Sequence, residues 1–137
     1  MQQPNNIFFG SDVSQEIRDK FGSPVYVYSE DSLKRQAHAA LEFPRDEEQE
    51  FRVRFAMKAC PNAAILQLFY RAGLNFDASS GYEVQRAMRA GIPAEKISLS
   101  SQEFPSNFQE LMATGIEFNA CSLHQLEQFG LLFPGGK

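Results

Sequence analysis

Tryptophan is absent, cysteine occurs twice, and basic residues are outnumbered. The missing tryptophan decides little beside thirteen phenylalanines. The charge balance decides more. Thirteen Lys and Arg against seventeen Asp and Glu leave a net charge of −4, so there is no basic surplus to hold nucleic acid or an anionic membrane surface. A small anionic ligand would need donors placed locally. Cys60 and Cys121 stand 61 positions apart with no CxxC pair, which excludes a metal knuckle and a disulfide framework and predicts reduced thiols in a cytoplasmic protein. No apolar run approaches the roughly 20 residues of a membrane span. The first ten residues have neither the basic nor the apolar region of a signal peptide. No GxGxxG, P-loop, HExxH or GxSxG pattern is present. A composition of 43% hydrophobic and 22% charged residues suits one globular domain or part of one.

What is present is a repeat. Four short runs, Phe55-Ala56-Met57-Lys58, Phe76-Asp77-Ala78-Ser79, Ile97-Ser98-Leu99-Ser100 and Phe118-Asn119-Ala120-Cys121, begin at intervals of 21 residues. Within them residues 76, 78, 97, 99, 118 and 120 are apolar, and 77, 79, 98, 100 and 119 are polar, with Cys121 completing the polar set. Side chains of a strand alternate between its faces, so each run reads as a strand with one apolar and one polar face. Strands are predicted over 52–58, 74–79, 96–100 and 116–121, with residues 56, 58, 77, 79, 98, 100, 119 and 121 on one concave side.

Helical patterns fill the intervals. Asn62 to Ala72 carries Ile65, Leu66, Leu68 and Phe69, and Gly73 stops it. Tyr82 to Ala90 carries Val84, Ala87 and Met88. Pro105 suits a first helical turn ahead of Phe108, Leu111 and Met112. Ser122 caps Leu123 to Phe129, ended by Gly130. Upstream, Gly22-Ser23-Pro24 reads as a turn, Pro24 to Tyr28 as a short strand, and Ser29 or Asp31 as the cap of a helix through Leu41 that Pro44 stops. The run from Arg45 to Glu50 reads as a solvated loop.

Repeated strand–helix units of this length imply parallel strands joined by right-handed crossovers. An open doubly wound sheet and a closed (β/α)8 barrel both satisfy that. Strands covered by helices on both faces should be almost wholly apolar. Polar residues at the strand ends favour the barrel mouth. The expected fold is therefore α/β, a partial (β/α)8 TIM barrel of about four units. Residues 1–24 lead in, and 25–137 form its N-terminal half. Another step of 21 puts the next strand near position 139, beyond Lys137, so the chain is expected to stop just short of a fifth strand.

Lys58 has the parity and the strand-end position of an inward-facing amine. Partial desolvation there would leave it free for Schiff-base chemistry. A structural lysine paired with Asp77 is the other reading. Asp77, on the neighbouring strand, either orients Lys58 or an arginine or forms an ion pair that serves only the fold. Ser79 and Ser80 are donors to a ligand or simple helix caps. His38 and His124 have no acid or nucleophile at useful spacing and read as surface residues.

At Lys58 a family resemblance begins. Phe55-Ala56-Met57-Lys58-Ala59-Cys60-Pro61-Asn62 resembles the Y/F-A-x-K-A-N-P-N segment of the pyridoxal-phosphate-dependent decarboxylases acting on diaminopimelate, ornithine and arginine. Gly22 to Tyr28 is similar to their G-T-P-x-Y-V-Y, Phe76 to Glu83 to F-D-x-x-S-x-x-E, and Gly91 to Ile97 to G-x-P-A-E-K-I. The likeness runs from Gly22 to about Phe129. Cys60, the stretch from Ser100 to Phe104, and Cys121 depart from the family pattern.

The resemblance implies pyridoxal 5'-phosphate as cofactor, Lys58 as its covalent lysine, and Asp77 and Ser79 as cofactor-binding residues. It implies a small amino-acid substrate, a homodimer and no metal. The stretches Gly22 to Tyr28 and Gly91 to Ile97 favour the diaminopimelate branch, which forms L-lysine. Ornithine- or arginine-type activity, an alanine-racemase-type enzyme and a truncated non-catalytic relative are the alternatives. The resemblance places a ring-stacking histidine, a glycine-rich phosphate loop, an acidic partner for the pyridine nitrogen and a C-terminal β-domain beyond residue 137, so the chain alone is expected to be inactive.

Overall fold

A computed structural model describes residues 9–42 and 51–135. Two helices come first, α1 (Ser11–Phe21) and α2 (Glu30–Leu41). Four β-strands then alternate with helices: β1 (Arg54–Ala56), α3 (Ala63–Ala72), β2 (Asn75–Ala78), α4 (Gly81–Arg89), β3 (Ile97–Leu99), α5 (Phe108–Ala113), β4 (Glu117–Phe118) and α6 (Leu123–Leu132). The strands form one parallel sheet in the order β1-β2-β3-β4. Each neighbour follows its predecessor through a helix, the arrangement that right-handed crossovers impose on consecutive parallel strands.

The strands are shorter than the alternation predicted, because backbone pairing ends where each loop turns away. Lys58 is not on β1. The chain tightens into a 3-10 turn over Met57–Ala59 immediately after the strand. The register also departs from the repeat. Phe55 pairs with Phe76 and Phe76 with Ile97, as a step of 21 requires, but Phe118 pairs with Leu99 rather than Ile97. A slip of two residues keeps every side chain on its own face. It is the stagger a sheet needs in order to curl toward a barrel.

Helix boundaries shift for similar local reasons. Asn62 caps α3 through a 3.0 Å bond from the Ala64 amide, and Gly73 ends it at φ 103 in the left-handed region. Pro105 lies in the turn before α5, accepting from the Phe108 amide, so the helix starts three residues later than expected. Gly130 does not end α6, which runs on to Leu132. Helix α1, which no pattern announced, buries none of its residues. Residues 24–28 form no strand and pair with none among the described residues. Pro44 and the charged run to Glu50 lie outside the described residues.

The core lies between the outer face of the sheet and the helices. Phe76, Ala78, Ile97 and Leu99 are fully buried there against Leu66, Phe69, Val84, Ala87, Phe108 and Leu111. Gly81 marks the tightest approach. A Cβ there would stand 3.0 Å from Pro105 Cβ and 3.1 Å from Leu111 Cδ1. Much of the phenylalanine content gathers at one end. Phe108 packs edge-on against Phe118 at 4.9 Å, and Phe118 stacks on Phe129 at 5.6 Å.

The other face of the sheet is polar and curved. Arg54 on β1 and Arg52 just before it both bind the Glu117 carboxylate on β4. Strands lie about 4.8 Å apart, so in a flat sheet these edge strands would be separated by roughly 14 Å. The contact closes across the concave side, above the buried Asn75 and Ser98. These four strands match the N-terminal part of a barrel.

Candidate functional site

The strand C-termini gather four loops at one end of the sheet, where barrel enzymes carry their chemistry. Lys58 leaves the sheet two residues after Ala56, and Ser79 leaves it two residues after Asp77, the register partner of Ala56. Met57 is fully buried beneath the 3-10 turn, anchoring it. Lys58 itself is exposed rather than partly desolvated as the sequence predicted. The polar side on which its strand ends is open here. Among the described residues its amine has no hydrogen-bond or ion-pair partner, and the pairing with Asp77 does not form.

Asp77 is engaged elsewhere. Its Oδ1 accepts a 2.6 Å hydrogen bond from Ser100 Oγ, and Ser100 Oγ accepts from Asn119 Nδ2 at 3.3 Å. The three side chains come from β2 and the ends of β3 and β4, and form a ladder across the concave face. Sequence reasoning placed Ser100 and Asn119 on that face but assigned them no part in the site. Their parity was the available signal; the diagonal between neighbouring strands, which lets Ser100 reach Asp77, was not visible in it.

Ser79 presents its backbone to α4. Its amide donates to Glu83 Oε2 at 2.6 Å, while Ser80 Oγ accepts from the Glu83 amide at 3.3 Å. Ser80 is thus the cap, and Glu83 reaches back to the amide one residue before it, a variant of the S-x-x-E capping pattern. The same construction recurs one loop further round. The Cys121 amide donates to Gln125 Oε1 at 2.7 Å and the Gln125 amide to Ser122 Oγ at 3.2 Å. Buried Gln125 also donates to the Ser101 carbonyl at 2.7 Å, linking the third and fourth loops. Glu83 and Gln125 were missed as loop anchors, although S-x-x-E/Q before an amphipathic helix is their sequence mark.

The upstream segment reaches the same loop. Cys60 Sγ lies 3.9 Å from Tyr28 Oη as its donor. The hydrogen bond with Cys60, and then the electrostatic interaction with the same residue, hold the Tyr28 phenol above its ordinary value. A cleft of about 650 Å³ between α2 and α3, lined by Tyr28, Lys34, Leu68 and Arg71, lies on the helix-covered side and does not include Lys58. His38 and His124 are exposed. Among the described residues no group of three or more His, Cys, Asp or Glu is placed to hold a metal, and no helix is long and apolar enough to cross a membrane.

An unpartnered amine on an open strand end has the chemistry a carbonyl-bearing cofactor requires. Residues 30–130 match the model of the pyridoxal-dependent decarboxylase, pyridoxal binding domain. The chain is 32% identical over 121 residues to diaminopimelate decarboxylase of Escherichia coli K12, an alignment covering 85% of this chain and 27% of that protein. The crystal structure of Methanocaldococcus jannaschii diaminopimelate decarboxylase with L-lysine superposes with a TM-score of 0.76 at 31% identity, covering 87% of this chain and 29% of that one. Lysine/ornithine decarboxylase of Vibrio vulnificus with putrescine, at 21% identity and a TM-score of 0.72 over 88% of this chain and 32% of that one, shares the fold. The chain therefore spans between a quarter and a third of the length of these relatives.

Proposed function

The chain belongs to the pyridoxal-dependent decarboxylases, and from that premise we propose that its protein converts meso-diaminopimelate to L-lysine with Lys58 as the cofactor lysine. The observation that carries this is the position of Lys58: an amine without a competing partner, in the turn that ends β1, inside the matched pyridoxal-binding domain. Relatives named as diaminopimelate decarboxylases, one of them solved with L-lysine, support the substrate. Residues 25–137 supply the first four barrel units and 1–24 lead into them. The working enzyme is a cytoplasmic homodimer.

In this reading Lys58 Nζ would hold pyridoxal phosphate covalently at the open end of the sheet. Pyridoxal phosphate, when bound, supplies an electron sink for the carbanion left as CO2 departs. Asp77, held by Ser100, stands on β2 beside β1, the strand that leads into the turn carrying Lys58. Ser79, its amide fixed by Glu83, sets the backbone of the neighbouring loop. Holding these groups before the substrate arrives lowers the reorganisation the reaction would otherwise require.

Borohydride reduction of the cofactor-loaded protein, followed by peptide mapping, tests the assignment. The reduced cofactor is expected on Lys58, together with CO2 release from meso-diaminopimelate before reduction. A label on Lys96 or another lysine, or no release from that substrate, would end this reading.

A further inference from the structure

We propose that Ser100 is a positioning residue for Asp77, its hydroxyl holding the carboxylate toward β3 and away from the Lys58 amine. The inference rests on the reading of Lys58 as the cofactor lysine. Its geometric basis is the directed ladder on the concave face. A serine hydroxyl has one hydrogen to give and two lone pairs to offer. Asn119 Nδ2 donates into Ser100 Oγ at 3.3 Å, which occupies a lone pair and leaves the hydrogen for Asp77 Oδ1 at 2.6 Å. The bond from Ser100 to Asp77 is therefore oriented from β4.

Position makes this orientation consequential. Asp77 pairs with Ala56, two residues before Lys58, whereas Ser100 follows β3 on the opposite flank of Asp77. The carboxylate thus stands between its hydrogen-bond donor and β1, the strand that leads into the Lys58 turn. A neighbouring negative charge stabilises the protonated form of a nitrogen. A charge-assisted hydrogen bond draws on that negative charge and fixes its direction. With Ser100 in place, Asp77 exerts a restrained pull on the Lys58 nitrogen. Without it, the carboxylate turns freely toward Lys58 and its full charge acts there. Ser100 opens the stretch that departs from the family pattern, so this restraint belongs to this chain's own residues.

The test is a pH titration of the visible absorbance of the cofactor-loaded protein, which reports protonation of the nitrogen that Lys58 shares with the cofactor. Ser100→Ala is expected to raise the midpoint by about one pH unit, a tenfold change in the protonation equilibrium. Ser100→Thr, which keeps the hydroxyl, is expected to restore the wild-type midpoint. A merely structural role for Ser100 would lower the thermal midpoint of Ser100→Ala without raising the absorbance titration. An unchanged or lowered titration midpoint in Ser100→Ala overturns the proposal, as does a Ser100→Thr midpoint that moves with it. Borohydride mapping of the same samples separates the two readings. A label away from Lys58 ends the function reading, whereas a label on Lys58 with an unmoved midpoint ends the positioning role alone.

Discussion

The two faces of the sheet are built on opposite principles. On the outer face, Phe76, Ala78, Ile97 and Leu99 are fully buried beneath α3, α4 and α5. On the concave face, half-buried Arg54 binds Glu117, while Asp77, Ser100 and Asn119, half-buried or exposed, form their own directed ladder. Apolar burial is non-directional and tolerates a shift of register as long as parity is kept. Hydrogen bonds and ion pairs demand particular atoms at particular places. The slip of two residues between β3 and β4 shows the difference. It left the apolar layer intact, yet it decides which inward side chains stand at the same level. Stability is therefore expected to reside on one face and chemistry on the other.

The largest expected effect tests that division from the chemical side. In the full-length enzyme proposed above, Lys58→Ala should reduce turnover by roughly a thousandfold or more, above about 4 kcal/mol of barrier. It should leave the thermal midpoint almost unchanged, because the exposed, unpartnered amine contributes little to the fold. Steady-state CO2 release beside a melting curve checks both halves. A matching loss of stability would place Lys58 in the structural layer and break the comparison.

The converse is Leu99→Ala. Leu99 is fully buried at the centre of the apolar layer, and truncation there should cost about 3–4 kcal/mol through lost transfer energy and a residual cavity. Chemical denaturation measures it, and the protein that remains folded should bind cofactor as before. If the loss were under about 1 kcal/mol, the outer face would not be the main source of stability.

What the sequence disclosed follows the same division. Phe76, Ala78, Ile97 and Leu99 were legible as one apolar face because alternation and the 21-residue step are carried by residue type alone. Lys58 was singled out by its place at the end of a run, although the turn that holds it breaks the strand it was assigned to. The partner of Asp77 was not found. Lys58 and an arginine were the candidates, and the bond goes to Ser100, because a contact between strands depends on register and curvature that no single run encodes. Helix α1 escaped because it buries nothing, and burial is what makes a helical pattern visible.

The smallest expected effect concerns a charge pair outside both faces. On α2, Lys34 Nζ lies 2.6 Å from Glu30 Oε1, one turn apart, with both side chains more than half exposed. The hydrogen bond from Lys34, then its charge, holds the Glu30 carboxyl below its ordinary value of 4.5. The bond to Glu30, then its charge, holds the Lys34 ammonium above 10.5. A lowered acid stabilises the fold above its unfolded value and loses that contribution as pH falls through the folded one. A raised base stabilises below its unfolded value and loses it as pH rises through the folded one. The pair therefore acts between these limits and fades on either side. Solvent and salt screen it. Lys34→Met, a change between residues of similar helix propensity, should lower the thermal midpoint only slightly at neutral pH. The difference should shrink as pH falls below 4.5, and shrink again in about 1 M salt, where the screening length falls to roughly 3 Å, close to the 2.6 Å of the pair. Melting curves of both proteins across pH and salt decide it. A difference that persisted in acid and in high salt would show that Lys34 acts through packing of its stem against α3. Helix α2 would then belong with the outer layer, not with the solvated surface.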